Sequence, residues 1–86
     1  MNKEWSLLLT PEVKRDGAKY KARAIGFQRD DGLWEGRVEF QDGSGKPVST
    51  GHETTQPNLT DLQYWATGLE QIYLEGALQR ALRNNK

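Results

Sequence analysis

The spacing of hydrophobic and polar residues changes at Pro57. Before this residue, apolar and polar side chains alternate in short segments rich in Gly, Val, Phe, Trp and Thr, and turn residues separate these segments. Residues 58–86 contain no proline and only two glycines, and their apolar side chains recur at helical spacing. Alternation predicts strands, and the longer period predicts helix. The sequence therefore predicts a single α+β domain over residues 1–86. A four-stranded antiparallel β-meander spans about residues 4–56, and a C-terminal helical segment spans about residues 58–84.

The first two predicted strands differ in charge. Apolar residues alternate from Trp5 to Leu9, and Thr10-Pro11 is expected to end the first strand. Asp16-Gly17 predicts a turn, after which the second strand has one apolar face and one basic face. The basic face carries Lys19, Lys21 and Arg23.

The alternation of the second strand shifts by one position near its end. Ala22 and Ala24 occupy even positions, whereas the next apolar residues, Ile25 and Phe27, occupy odd ones. A β-bulge produces such a shift because it adds one residue to one strand, and Gly26 tolerates the kink. The sequence therefore predicts either a bulge at Gly26 or a strand end that is covered on both faces.

The third strand has the most regular alternation. Asp31-Gly32 predicts a tight hairpin turn before it, and every second residue from Trp34 to Phe40 is apolar or glycine. A further turn over residues 42–45 leads to a fourth strand over residues 48–55, which has few apolar residues. We expect this strand at an edge of the sheet, with His52 and the neighbouring threonines partly in water.

The helical segment carries two apolar stripes. Asn58 is placed to cap its first turn, where Asp61 favours the positive end of the helix dipole. The first stripe contains Leu59, Leu62, Trp65, Ala66, Leu69 and Tyr73, and the second contains Leu74, Leu78, Ala81 and Leu82. The two stripes are centred more than a quarter turn apart, so one straight helix cannot direct both at one sheet. Either the helix breaks at Thr67-Gly68, with Gly68 in the left-handed conformation, or a single helix presents its second stripe elsewhere.

The second stripe leads to the main functional prediction. A chain of 86 residues needs most of its large apolar side chains for its own core, so a stripe that misses the sheet predicts a partner. We expect a small non-enzymatic interaction or regulatory module that forms a homodimer or docks to a partner protein. The predicted partner-binding residues are Leu74, Leu78, Leu82 and Tyr64. Tyr64 is included because it lies beside Trp65 and away from the first stripe.

The basic strand face supports an alternative function. Such a face can bind single-stranded nucleic acid through phosphate contacts and base stacking. The candidate residues are Lys19, Lys21, Arg23 and Arg37. Cross-strand ion pairs with Glu35 and Glu39 explain the same pattern, and we favour that explanation. The whole chain carries twelve basic and twelve acidic residues, so it lacks the long-range field typical of a strong nucleic-acid binder.

No residue pattern predicts catalysis, a cofactor or a metal site. The chain has one histidine and no cysteine, which excludes disulfides and thiolate ligands. His52 and Glu53 could share a proton, but adjacent residues of a strand point to opposite faces. The glycines before Lys46 lack the spacing of a phosphate-binding loop. The apolar run Leu7–Leu9 is too short for a membrane span or a signal peptide, so we expect a soluble cytoplasmic protein.

Overall fold

The computed structural model describes residues 3–84 and shows the predicted α+β fold, with an antiparallel sheet followed by two helices. The strands are β1 (Glu4–Arg15), β2 (Ala18–Gln28), β3 (Trp34–Gln41), β4 (Val48–Ser49) and β5 (Thr54–Gln56), and the helices are α1 (Leu59–Thr67) and α2 (Gln71–Asn84). The sheet order is β1-β2-β3-β4, and β5 also pairs with β3. Both helices pack on one face of this sheet, which we call the covered face. The other face is called the open face.

Strand β1 is longer than the sequence predicted. It continues through Thr10-Pro11, and its register against β2 shifts between Leu8 and Glu12. The prediction that Pro11 ends the strand was wrong because β1 lies at the edge of the sheet. An edge strand can hold a residue without an N–H donor, particularly next to a bulge.

The predicted bulge at Gly26 is also wrong. Strand β2 pairs with β3 without a register shift, and Gly26 lies directly opposite Gly36 on the covered face. The two glycines form a depression that receives Leu62 of α1. Ile25 and Phe27 belong to the open face, where they are only half-buried. On the covered face, position 26 must be glycine because Leu62 packs there. The large apolar residues next to it, Ile25 and Phe27, therefore lie on the open face, and this explains the shift in the alternation.

The first hairpin turn needs two residues with positive φ. Asp16 has φ 53° and Gly17 has φ 83°, which is the combination that joins two twisted antiparallel strands through two residues. This turn agrees with the Asp16-Gly17 signal in the sequence.

The predicted fourth strand is divided into β4 and β5. Thr50 follows β4 and is 3% exposed, contrary to the expectation that the threonines here stand partly in water. Its N–H donates to the Val38 carbonyl at 2.9 Å, and its Oγ1 accepts from the Val38 N–H at 3.0 Å. A side-chain oxygen thus replaces a backbone carbonyl in the ladder, and the chain leaves the sheet before it returns as β5.

The helical segment consists of two helices. Asn58 caps α1 as predicted, since its side-chain oxygen accepts from the Asp61 N–H at 2.8 Å. Helix α1 ends at Thr67, so the break occurs where the sequence indicated. Gly68 has φ −91°, however, and does not take the left-handed conformation. The break reorients the chain so that α2 packs on the same face of the sheet as α1.

The hydrophobic core lies between the covered face and the two helices. Its largest fully buried side chains are Phe40, Leu62, Leu74, Leu78, Val13 and Val38. Leu82 is half-buried and packs against the same cluster.

Candidate binding surfaces

The second apolar stripe is not a free surface. Leu74 and Leu78 are fully buried in the core, so the expectation that they are exposed to a partner was wrong. Leu82, also predicted to bind a partner, is half-buried against the same core. The partner prediction followed from the single-helix alternative, whereas the structure shows the other alternative, two helices. Once the chain breaks after Thr67, the second stripe faces the same sheet as the first.

Large apolar side chains are instead exposed around the junction of α1 and α2. Tyr64, in the last turn of α1, is 83% exposed, and Ile72, in the first turn of α2, is 81% exposed. Leu69 and Tyr73 contribute to a shallow recess beside Ile72. We call Tyr64, Leu69, Ile72 and Tyr73 the helix-junction surface. Tyr64 was singled out in the sequence, whereas Ile72 was missed, although its position outside both stripes was a detectable signal.

Carboxylates predominate around the helix-junction surface, and Arg80, which lies over the Tyr73 ring, is already paired with Glu53. Between Leu59 and Gln79 the chain carries three carboxylates, Asp61, Glu70 and Glu75, and no lysine or arginine. Glu70 lines the recess itself. Glu75 is exposed and lies three residues after Ile72, on the same side of α2. The surface therefore combines apolar side chains with an acidic rim.

The open face of the sheet carries the four predicted basic residues. Lys21 and Arg23 face Gln41 and Glu39 of β3 in the register, and Lys19 faces Lys14 of β1. Lysines 19 and 21 are exposed, and the Arg23 guanidinium donates to the Ser6 hydroxyl at 3.4 Å. The Arg37 guanidinium carbon lies 5.7 Å from the centre of the Phe27 ring.

The favoured cross-strand ion pairs are not formed. Among residues 3–84, no carboxylate oxygen lies within 4.0 Å of the charged nitrogens of Lys19, Lys21, Arg23 or Arg37. Glu35 instead pairs with Arg29, just beyond the end of β2, at 3.9 Å. The basic side chains of the open face are therefore available to an external anion.

Three of these residues line one recess on the open face. Lys19, Lys21 and Arg23 surround a volume of about 480 Å³ together with Leu8, which is 53% exposed. The carboxylates of Glu12, Glu39 and Asp42 also line this recess. The charge of the recess is thus mixed, which weakens its attraction for a polyanion.

A polar cluster joins the loop before β5 to α2. Arg80 binds the Glu53 carboxylate through two nitrogens, with Nη2 at 2.6 Å from Oε1 and Nε at 3.2 Å from Oε2. The Tyr73 hydroxyl donates to the same carboxylate, and the Arg80 guanidinium carbon lies 5.6 Å from the centre of the Tyr73 ring. The Glu53 side chain is only 9% exposed. The sequence did not predict this cluster, because its members are separated by 20 and 27 residues.

The cluster lowers the pKa of Glu53 and raises that of Tyr73, and the hydrogen bond to Glu53 also raises the pKa of Arg80. Burial raises the pKa of Glu53, but hydrogen bonds from Arg80 and Tyr73 outweigh burial and hold the pKa below its ordinary value of 4.5. Burial, followed by the hydrogen bond to Glu53, raises the pKa of Tyr73 to about 12. Hydrogen bonds thus keep the carboxylate ionised, and burial together with the hydrogen bond to Glu53 keeps the phenol neutral, over a wide range of pH. The three side chains therefore connect the loop before β5 to α2, and we call Glu53, Tyr73 and Arg80 the Glu53 clamp.

The Glu53 clamp predicts a pH-dependent stability. Because the folded pKa lies below 4.5, the clamp stabilises the protein fully above that pH and is lost as pH falls through the folded pKa. We expect Glu53→Gln to lower the free energy of unfolding by about 1 kcal/mol at about pH 7, and by less at about pH 3. Urea denaturation at both pH values measures this difference. Glu75→Gln, at an exposed position of α2, is the control and should change neither value.

His52 does not join Glu53 in a common site. It is exposed, and its Nε2 lies 2.6 Å from the Thr55 hydroxyl oxygen, whereas the Glu53 carboxylate points to α2. Within residues 3–84, no three His, Cys, Asp or Glu side chains are grouped closely enough to hold a metal ion. Neither described helix is long and apolar enough to cross a membrane. The expected lack of enzymatic activity and the cytoplasmic location both stay predictions.

Comparison with protein families, with curated proteins and with solved structures gives no match to this chain. The function must therefore be inferred from the surfaces themselves.

Proposed function

We propose that the protein is a non-enzymatic interaction module that docks to a partner protein through the helix-junction surface. The exposure of Tyr64 and Ile72 carries this proposal. A domain of this size needs its large apolar residues for the core, and isoleucine is among the residue types most often buried. Tyr64 and Ile72 are both more than four-fifths exposed, and both lie next to the α1–α2 junction. Large apolar side chains exposed in this way are typical of a contact surface.

The acidic rim indicates the chemistry of the partner. A binding segment would place an apolar side chain in the recess beside Ile72 and lysine or arginine near Glu70 and Glu75. Complementary charge of this kind mainly raises the association rate and selects among partners, and salt weakens it. We therefore expect a basic partner segment with one or two apolar anchors.

Comparative binding tests the proposal. Immobilised protein is used to isolate binding proteins, and each is then purified and titrated against the unmodified chain. For a true partner, Ile72→Ser and Tyr64→Ser should each weaken binding by about tenfold or more, as expected for anchors at the centre of an interface. Raising the salt concentration should weaken binding further.

Leu8→Ser is the matched control, since it removes an exposed large apolar side chain from the open face instead. A partner that is lost with Leu8→Ser but retained with Ile72→Ser and Tyr64→Ser would contradict the proposal and direct attention to the open face.

A second candidate function is single-stranded nucleic-acid binding on the open face. The supporting observation is that Lys19, Lys21, Arg23 and Arg37 share this face without a carboxylate partner within residues 3–84. Phe27 is the aromatic side chain of this face that could stack on a base, and Arg37 already lies over it. The carboxylates in the recess place this function second.

Fluorescence anisotropy with labelled single-stranded oligonucleotides tests this candidate. Three phosphate contacts should reduce the affinity by roughly 20-fold when salt rises from about 50 to about 200 mM. Lys21→Ala should weaken binding, and Arg83→Ala, at an exposed position of α2 on the other side of the sheet, should not. The absence of binding at low salt would eliminate this function.

A further inference from the structure

Strand β1 leaves an unprotected edge at the end of the sheet. Folded proteins usually protect edge strands with proline, bulges or charged residues. In β1 such features are Glu4, where the strand begins, and Pro11 with the register shift in the second half. The rest of the first half, from Trp5 to Leu9, has the sequence Trp-Ser-Leu-Leu-Leu and contains no charge. This half can therefore accept another strand.

The backbone groups that face outward can be identified from the pairing of β1 with β2. The Gln28 N–H donates to the Lys3 carbonyl at 2.8 Å, which makes these two residues a hydrogen-bonded pair. Such pairs alternate along an antiparallel ladder. Hence Glu4, Ser6 and Leu8 direct their N–H and carbonyl groups away from β2, and all three residues are exposed.

We propose that a second copy of the chain adds to this edge, with β1 pairing antiparallel to β1 about a two-fold axis at Ser6. Ser6 then faces Ser6 of the second copy, and Glu4 faces Leu8. Each facing pair exchanges two backbone hydrogen bonds. The two five-stranded sheets become one continuous sheet. This inference goes beyond the proposed docking function and uses a different surface.

The positions of the outward-facing residues favour the register with the two-fold axis at Ser6. An axis at Ser6 pairs the three outward-facing residues entirely with one another. An axis at Glu4 opposes two carboxylates, which is unfavourable. An axis at Leu8 would pair Ser6 with Thr10 of the second copy. Thr10 lies between Leu8 and Glu12, where the register of β1 shifts and the strand is irregular.

Apolar packing supports the same arrangement. Trp5 and Leu7 point to the covered face and are half-buried at the rim of the core. With the axis at Ser6, Trp5 lies opposite Leu7 of the second copy. Each copy would therefore cover the incompletely buried rim of the other, which adds hydrophobic burial to the backbone hydrogen bonds.

A charge-swap experiment tests both the dimer and its register. Sedimentation velocity of the unmodified protein over a range of concentrations up to several hundred micromolar should show a monomer–dimer equilibrium. Ser6→Glu and Ser6→Lys each oppose like charges across the axis, so each variant alone should dimerise at least tenfold more weakly. An equimolar mixture of the two variants should recover the dimer. A monomeric unmodified protein, or a mixture that associates no better than the separate variants, overturns the proposal.

Ser6→Pro provides a second test that leaves the ladder between β1 and β2 complete, because the Ser6 N–H faces outward. It should weaken dimerisation at least tenfold, whereas Ser6→Ala should not, and circular dichroism should show that both variants are folded. Hydrogen exchange of the Glu4, Ser6 and Leu8 amides should slow as the protein concentration increases. Dimerisation that survives Ser6→Pro but is lost with Ile72→Ser assigns self-association to the helix-junction surface and overturns the β1 proposal.

Discussion

Leu78→Glu is expected to leave the protein largely unfolded, not folded and deprived of a partner. Leu78 is 1% exposed and lies in the core with Leu74 and Phe40. A carboxylate at this position would be buried without a partner, which costs several kcal/mol. The total stability of a small domain is about 5–15 kcal/mol, and 86 residues place this chain toward the lower end. The substitution therefore removes most of the stability of the fold.

Urea denaturation followed by circular dichroism measures this effect. Gln79→Glu is the control, since it places the same carboxylate at the next residue of α2, where the side chain is exposed. This control should unfold within about 0.5 kcal/mol of the unmodified protein. If Leu78→Glu unfolded cooperatively at the same urea concentration as the control, Leu78 would lie on the surface and the second stripe would again be a candidate docking site.

The different outcomes for the sheet and for the second stripe have a physical explanation. The alternation from Trp34 to Phe40 involves neighbouring residues, and the cap at Asn58 involves residues three positions apart. Both features could therefore be predicted from the sequence. The direction of Leu74 and Leu78 depends on the geometry of the α1–α2 junction. Helical periodicity gives the directions of side chains around the axis of one helix. It does not give the angle between the axes of two helices.

The Glu53 clamp and the open face also depend on long-range geometry. Glu53 meets Tyr73 and Arg80 only after the loop before β5 has been placed against α2. The sequence correctly placed Lys21 and Arg23 on the sheet face that also carries Glu35 and Glu39 of β3, although only Arg23 lies directly opposite one of these carboxylates, Glu39. It did not show that these side chains would remain unpaired, because pairing depends on rotamers as well as register.

Gly26→Ala is the second substitution with a large expected effect, because it fills the depression that receives Leu62. A Cβ atom at position 26 would lie 2.2 Å from Leu62 Cδ2, and Leu62 is fully buried and has little room to move. We expect a loss of about 1–3 kcal/mol in the free energy of unfolding. Gly43→Ala is the matched control, since a Cβ there meets no atom within 4 Å, and it should have almost no effect.

A double-mutant cycle with Leu62→Ala decides whether the depression is the cause. Leu62→Ala alone should cost about 2–5 kcal/mol, and the double variant should lose at least about 1 kcal/mol less than the sum of the two single losses. Leu62→Ala should offset the stability loss of Gly36→Ala to a smaller extent. A Cβ atom at position 36 would also lie 2.9 Å from Thr54 Cγ2 and from Trp65 Cζ3, which Leu62→Ala leaves in place. Additive losses for Gly26→Ala and Leu62→Ala would show that Leu62 does not occupy the depression. The parity shift at Ile25 would then need another explanation.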